Sequence, residues 1–242
     1  MKRFSTIVVL SSILSALGLA TAHAYTAGQL HYPDLRPLRA SELRISYEGG
    51  KKLLRFSTIV VNVGDGRLQL RPESNASTKV TKAIQEVFSH DSSGRWYLAL
   101  SKDIGTFTFH PEHNHWHFEK FARYELRNDV NGAMGSEIKR VSEKTTFCII
   151  DTYDYRSAVS LAHEGSRTYT SCGQNDTTGI TVGWGDKYGY HLSGQSIDVT
   201  SLPNGYYWVR IVADYGGKII ETNDSNNASS RRIYISGSSV YW

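Results

Sequence analysis

Short apolar runs, rich in β-branched and aromatic residues, alternate with polar positions along most of the chain, and Gly, Asn or Asp punctuates them. A period of two with frequent turn residues predicts strands. ELRISYE (42–48), LLRFSTIVVNV (53–63), RLQLRP (67–72), RWYLALS (95–101) and TFTFH (106–110) all read this way. So do HWHFEKFARYEL (115–126), TTFCIID (145–151), SIDVT (196–200), GYYWVRIVAD (205–214) and RRIYIS (231–236). NDVNG (128–132) and DYGGK (214–218) carry the residues of hairpin connections. One stretch departs from the pattern. Val80, Ile84, Val87 and Phe88 form a stripe at helical spacing, predicting a helix over 79–90 capped by Ser77 or Thr78. Residues 151–196 are poor in aliphatics and predict a long irregular segment, which in a compact domain is usually functional. The sum is an all-β, β-sandwich-like single domain with long irregular loops and one or two short helices.

The first residues change the picture of where this domain works. Lys2 and Arg3 precede the apolar run IVVLSSILSALGLA, which ends at Ala22-His23-Ala24. Charge, a short hydrophobic stretch and a small–x–small site predict a secretory signal peptide over 1–24, with the domain at 25–242. The run is too short for a membrane span, and no other segment approaches one. About 218 residues remain, enough for one domain with its own core. The formal charge of +4 loses two units with Lys2 and Arg3. So small a balance gives no argument for nucleic acid or a membrane surface, and no nucleic-acid partner is expected. The expected location is secreted, extracellular or periplasmic. There Cys148 and Cys172, the only two cysteines, are expected to form a disulfide; neither has a CxxC partner for metal binding. Asn75, Asn175, Asn223 and Asn227 open sequons, relevant in a host that glycosylates.

Chemistry concentrates in FHPEHNHWHF (109–118), which holds four of the nine histidines: His110, His113, His115 and His117. Successive side chains of a strand point to opposite faces, so His113, His115 and His117 share one face while Trp116 and Phe118 take the other. Three imidazoles in phase converge on one ion, and a bulge at Lys120–Phe121 accommodates the break in alternation that follows. On the residues alone this is a metal site, open to a metal-binding module without catalysis or to a zinc hydrolase with Glu112 or Glu119 as its base.

Further blocks add to the histidine strand. HNHWHFEKFARYEL resembles the copper-binding strand of the lysyl oxidase family. KTTFCIIDT (144–152), DKYG (186–189) and QSID (195–198) resemble three more of its segments, and PDL (33–35) and ETNDSNN (221–227) match its two ends. The blocks keep the family's order and approximate spacing over nearly the whole chain beyond residue 24. The resemblance implies Cu(II) on His113, His115 and His117. It implies that Lys144 and Tyr188 crosslink into a lysine tyrosylquinone cofactor. It also implies a calcium site tying the domain's ends, from Asp34, the Leu35 carbonyl, Glu221, Asn223, Asn226 and Asn227. The implied activity is oxidative deamination of peptidyl lysine or other primary amines to aldehydes, with O2 as oxidant and hydrogen peroxide and ammonia as products. Asp151 or Asp186 is expected to serve as the base, and His110 matches another histidine of the family. The chain departs from the family in having cysteines for one disulfide only, and Asn223 where the calcium site expects an acid. Asp224 follows it directly.

Overall fold

The protein is described from a computed structural model, over residues 27–74, 79–111, 114–158, 166–172 and 177–242. The expected signal peptide, Ser77, Thr78, Glu112, His113 and the sequons at Asn75 and Asn175 lie outside these residues.

Strands in the first half are β1 (Leu35–Pro37), β2 (Ser41–Glu48), β3 (Lys51–Asn62), β4 (Leu68–Pro72), β5 (Val80–His90), β6 (Trp96–His110), β7 (His115–Phe118) and β8 (Ala122–Val130). The second half adds β9 (Ala133–Val141), β10 (Tyr153–Asp154), β11 (Thr178–Ile180), β12 (Trp184–Tyr188), β13 (Ser196–Asp198), β14 (Gly205–Ala213), β15 (Ala228–Ser236) and β16 (Ser239–Tyr241). Among the described residues, helix is confined to two 3-10 turns, Arg156–Ala158 and Asp224–Asn226. The fold is all-β, as the alternation predicts. One sheet runs β11-β4-β5-β6-β7 and another β16-β15-β14-β8-β9. The third is built on β3, whose first half pairs β2 and β13 and whose second half pairs β1 and β12, with β10 beyond β12.

A single core joins the three sheets. Phe56 and Val60 of β3, Leu70 and Ala83 of β4 and β5, Phe107 and Trp116 of β6 and β7, and Tyr124, Val209 and Ile233 of β8, β14 and β15 belong to one buried cluster. Burying one such aliphatic or aromatic side chain is worth about 1.5–3 kcal/mol. At the sheet's outer face Asp129 of β8 accepts from Trp208 Nε1 (2.9 Å) and from Arg232 Nε (2.7 Å), clasping β8, β14 and β15.

Five expectations are corrected. Residues 151–196, expected to be irregular, hold β10, β11 and β12, which pair into two of the sheets. The stretch predicted as a helix over 79–90 is β5, paired to β4 and β6. Its register slips at Ala83/Ile84 and at Val87/Phe88, and each bulge shifts the alternation by one residue, so a strand acquires a nearly helical apolar spacing. The runs at 95–101 and 106–110 are one strand, β6. The expected bulge at Lys120–Phe121 is a full break between β7 and β8, with Lys120 at φ 60°. TTFCIID is no strand; Phe147 makes an isolated bridge to Phe118, and the Ile149 carbonyl accepts from Gly179 N–H of β11 (2.9 Å). NDVNG does turn a hairpin, from β8 into a strand the pattern did not mark, β9. Asn131 and Gly132 both take positive φ there (52° and 88°), the backbone a tight two-residue hairpin requires.

Candidate active site

β7 is held on both sides, and that fixes what its histidines face. Along one edge His117 pairs with Thr108 and His115 with His110 of β6. Along the other, Phe118 and Phe147 exchange backbone hydrogen bonds of 2.8 and 3.1 Å. Trp116 and Phe118 bury in the core, leaving His115 and His117 on the opposite face. Their Nε2 atoms stand 2.9 Å apart, and the two rings are stacked. The ring of His110 lies 4.1 Å from that of His117, centroid to centroid. Two nitrogens bound to one ion at about 2.0–2.1 Å and at right angles sit roughly 2.9 Å apart, so the pair fits a shared metal. Imidazole is a borderline donor for which copper ranks first among divalent first-row ions. The third predicted ligand, His113, is outside the described residues.

Thr146 had no part in the sequence argument. Its Oγ1 lies 3.3 Å from His117 Nδ1, the ring nitrogen turned away from His115. A partner there sets which nitrogen carries the proton and aims the other at the metal. No sequence signal marks Thr146, because its contact depends on the bridge that docks residue 147 against β7.

One residue past the bridge, at Cys148, a tyrosine forty residues further along the chain meets the same segment. Tyr188 ends β12 and donates its hydroxyl to the Cys148 carbonyl (2.9 Å) while accepting from the Cys148 N–H (2.9 Å). Phe147 meets the Tyr188 ring edge-on at 4.8 Å. Lys144 Nζ stands 4.9 Å from the centroid of the Tyr188 ring and 5.5 Å from that of Phe147. Burial lowers the pKa of Lys144, against the opposing pull of Asp186. Burial raises the Tyr188 hydroxyl well above its usual value, with the Asp186 charge adding to the shift and the Cys148 backbone opposing it. Cys148 is itself tethered, since it forms the expected disulfide with Cys172.

His115, His117, Lys144, Asp186 and Tyr188 line one cleft of about 320 Å³. Of the two acids expected near it, the structure brings only Asp186 to the wall. Asp186 is 3% exposed, and its Oδ2 has no hydrogen-bond partner. Burial drives its carboxyl well above the ordinary range, with Ile150 N–H and the Thr152 hydroxyl opposing and the nearby Asp151 reinforcing. Asp151 does not line the cleft. Its carboxylate takes the N–H groups of Thr168, Tyr169 and Thr181 and the Thr181 hydroxyl, at 2.6–3.0 Å. Those bonds pin Thr168, Tyr169 and Thr181 and engage both carboxylate oxygens of Asp151. His191 stacks edge-on against Tyr190 and does not line the cleft.

The residues expected at the calcium site do gather. Leu35 N–H donates to Glu221 Oε2 (2.7 Å), Asn227 Nδ2 to Glu221 Oε1 (2.6 Å) and Asn226 Nδ2 to Asp34 Oδ1 (2.7 Å). Asn223 instead caps the 3-10 turn, its Oδ1 accepting from Ser225 N–H and Oγ.

Comparison with known proteins agrees with the motifs. The sequence model of the lysyl oxidase family matches residues 91–242. Lysyl oxidase homolog 2 of Gallus gallus is 27% identical over 206 residues, which cover 84% of this chain and 21% of that protein. The Homo sapiens and Bos taurus proteins of the same name are each 28% identical over 194 residues, 80% of this chain and 20% of theirs. This chain therefore spans about a fifth of the length of the curated relatives it matches.

Proposed function

We infer, on the premise that this chain belongs to the lysyl oxidase family, that it is a copper- and lysine tyrosylquinone-dependent amine oxidase. It deaminates peptidyl lysine or other primary amines to aldehydes, consumes O2, and releases hydrogen peroxide and ammonia. The observation that carries this reading is Lys144 Nζ poised 4.9 Å from the Tyr188 ring, in the cleft that His115 and His117 also line. Neither a metal-binding module nor a zinc hydrolase gives those two residues a reason to meet. The hydrolase base Glu119 is moreover engaged by the Thr108 hydroxyl.

His115 and His117, with His113 by the family's pattern, would hold the copper, which would supply the redox chemistry with O2 needed to turn the Lys144–Tyr188 pair into a quinone. The rest is the work of the chain. The Cys148 backbone grips the Tyr188 hydroxyl from both sides and fixes the plane of the ring. Phe147 packs edge-on against that ring and fixes which side Lys144 approaches. An amine must shed its proton before it can act as a nucleophile, and burial of Lys144 favours the neutral form. Asp186 lines the cleft and its buried Oδ2 has no hydrogen-bond partner, which suits it to take the proton from the carbon next to the substrate nitrogen. Burial raises the proton affinity of its carboxyl, making it a stronger base than a solvated aspartate.

The Cys148–Cys172 disulfide supports a location outside the cytosol, secreted or periplasmic, where such bonds persist. Peptide mass spectrometry on protein matured with copper and O2 tests the reading. A covalent link between the Lys144 and Tyr188 peptides, reactive with phenylhydrazine, is the expected result. Unmodified Lys144 and Tyr188 peptides in copper-replete protein overturn it.

A further inference from the structure

The sheet β16-β15-β14-β8-β9 turns one face to the core and the other outward. Along β14, Tyr207, Val209 and Ile211 are buried, so Tyr206, Trp208 and Arg210 take the outer face. The same alternation along β15 buries Ile233 and Ile235 and turns Arg232 and Tyr234 outward. Strand register then brings together what the sequence keeps apart. Tyr206 of β14 pairs with Tyr234 of β15, and Tyr234 with Tyr241 of β16. Neighbouring strands stand about 4.8 Å apart, so this row of three tyrosines spans roughly 10 Å. The ring centroids of Tyr206 and Tyr234 are 4.7 Å apart, which makes the row a continuous ridge. With Trp242, Arg232 and Ile233 the three rings line a cavity of about 460 Å³.

Tyr206, Tyr241 and Trp242 are 52%, 60% and 57% exposed. Together they offer roughly 300 Å² of aromatic surface to solvent, a patch of the size that is often functional on a monomer. It falls well short of the about 800 Å² per partner of a stable protein interface, which favours a smaller ligand over a second protein. Charge narrows the choice further. The one ionic group of the cavity wall, Arg232, lies 3.9 Å over the Tyr206 ring and spends Nε and Nη2 on Asp129 at 2.7 and 3.2 Å. An ionised ligand finds no unspent counter-charge there.

Each of these rings is amphipathic, an apolar face with a hydroxyl or an N–H at its tip. A pyranose ring is its complement: a face of C–H groups packs on the aromatic ring, and the hydroxyls around the rim make hydrogen bonds. The ridge is longer than one such ring and runs straight across the strands. A β-linked sugar chain is likewise straight and flat, whereas an α-linked one coils. We propose that this cavity binds an extended, uncharged, β-linked polysaccharide chain, with Tyr241 and Trp242 stacking on its sugar rings. The inference is independent of the amine oxidase reading, since it involves neither the histidines nor the Lys144–Tyr188 pair.

Isothermal titration calorimetry with hexasaccharides tests it. Cellohexaose and chitohexaose are the uncharged β-linked probes, maltohexaose the α-linked one and hexagalacturonate the charged one. Expected is saturable binding of cellohexaose or chitohexaose, tighter than that of the other two probes. In the Tyr241→Ala/Trp242→Ala double variant that binding should weaken at least about tenfold. Both side chains are more than half exposed, so the variant keeps its core, and circular dichroism verifies its fold. Failure of both β-linked probes to bind overturns the proposal. So does a double variant that binds as the wild type does, or maltohexaose or hexagalacturonate bound as tightly as the β-linked probes. Sedimentation velocity reads the remaining outcome: a wild-type dimer that the double variant dissolves assigns the face to a second copy of the chain, and overturns the proposal too.

Discussion

Replacing both Cys148 and Cys172 with alanine separates what the disulfide does for the folded protein from what it does for the unfolded chain. The bridge joins residues 24 apart, closing a loop of about 25. The chain-entropy relation assigns that loop roughly 3.5 kcal/mol at 25 °C. The folded loop has other anchors: Asp151 takes four hydrogen bonds from Thr168, Tyr169 and Thr181. Arg167 Nε also donates to the Asp151 carbonyl (2.6 Å), and the Tyr169 hydroxyl to Gln69 (2.8 Å). The native loop should therefore stay put, and the loss should arise in the unfolded ensemble. With a urea slope of about 3 kcal/mol/M for a domain of this size, the unfolding midpoint should fall by roughly 1 M. Amide exchange should still protect Thr168, Tyr169 and Thr181 in native conditions. A midpoint shift under about 0.3 M, in protein shown to lack the bridge, would refute the entropic account. Loss of protection at those three amides would refute the claim that these contacts hold the loop without the bridge.

Asp186→Asn keeps the shape of the cleft and removes its base, so steady-state amine oxidation followed by peroxide release should drop about 10²–10⁴-fold; Asp151→Asn should instead lower the melting temperature. Thr146→Val should weaken copper binding about 10–100-fold in chelator competition and alter the copper electron paramagnetic resonance spectrum, while Thr146→Ser restores both; unchanged affinity in Thr146→Val would remove Thr146 from the metal's surroundings. The bond from Arg232 holds the Asp129 carboxyl down at about 2, below an unfolded value near 3.9. A lowered folded pKa gives stability that is present above the unfolded value and lost as pH falls toward the folded one. Asp129→Asn should thus melt below the wild type at pH 6, the gap closing as the pH approaches 2.

Legibility followed the physical range of each signal. Period-two alternation is local, so β2, β3, β4, β6, β7, β8, β13, β14 and β15 were readable, while β1, β10, β11, β12 and β16, of two to five residues each, were too short to show a period. It failed at β5, where two bulges imitate helical spacing, and at β9, whose exposed Met134, Ile138 and Val141 blur its two faces. The face shared by His115 and His117 was legible for the same local reason. Thr146 and the place of Asp186 in the cleft wall were not, because both arise from segments that folding brings together. Asp151 and Asp186 are alike in sequence, both acids beside family motifs. Only the N–H groups converging on Asp151 tell them apart.

The stitching of the two ends has a consequence in time. Asp34 meets Asn226 across 192 residues, and Leu35 meets Glu221 across 186. A ribosome adding about 5–20 residues per second needs roughly 10 to 40 s to deliver Asn226 after Asp34 has emerged. Through that interval β1 lacks its far partner, and contacts of such span are slow to form even once both ends exist. The segment made first is thus locked in among the last, and the nascent chain stays open to chaperones and carriers until its final strands have been made.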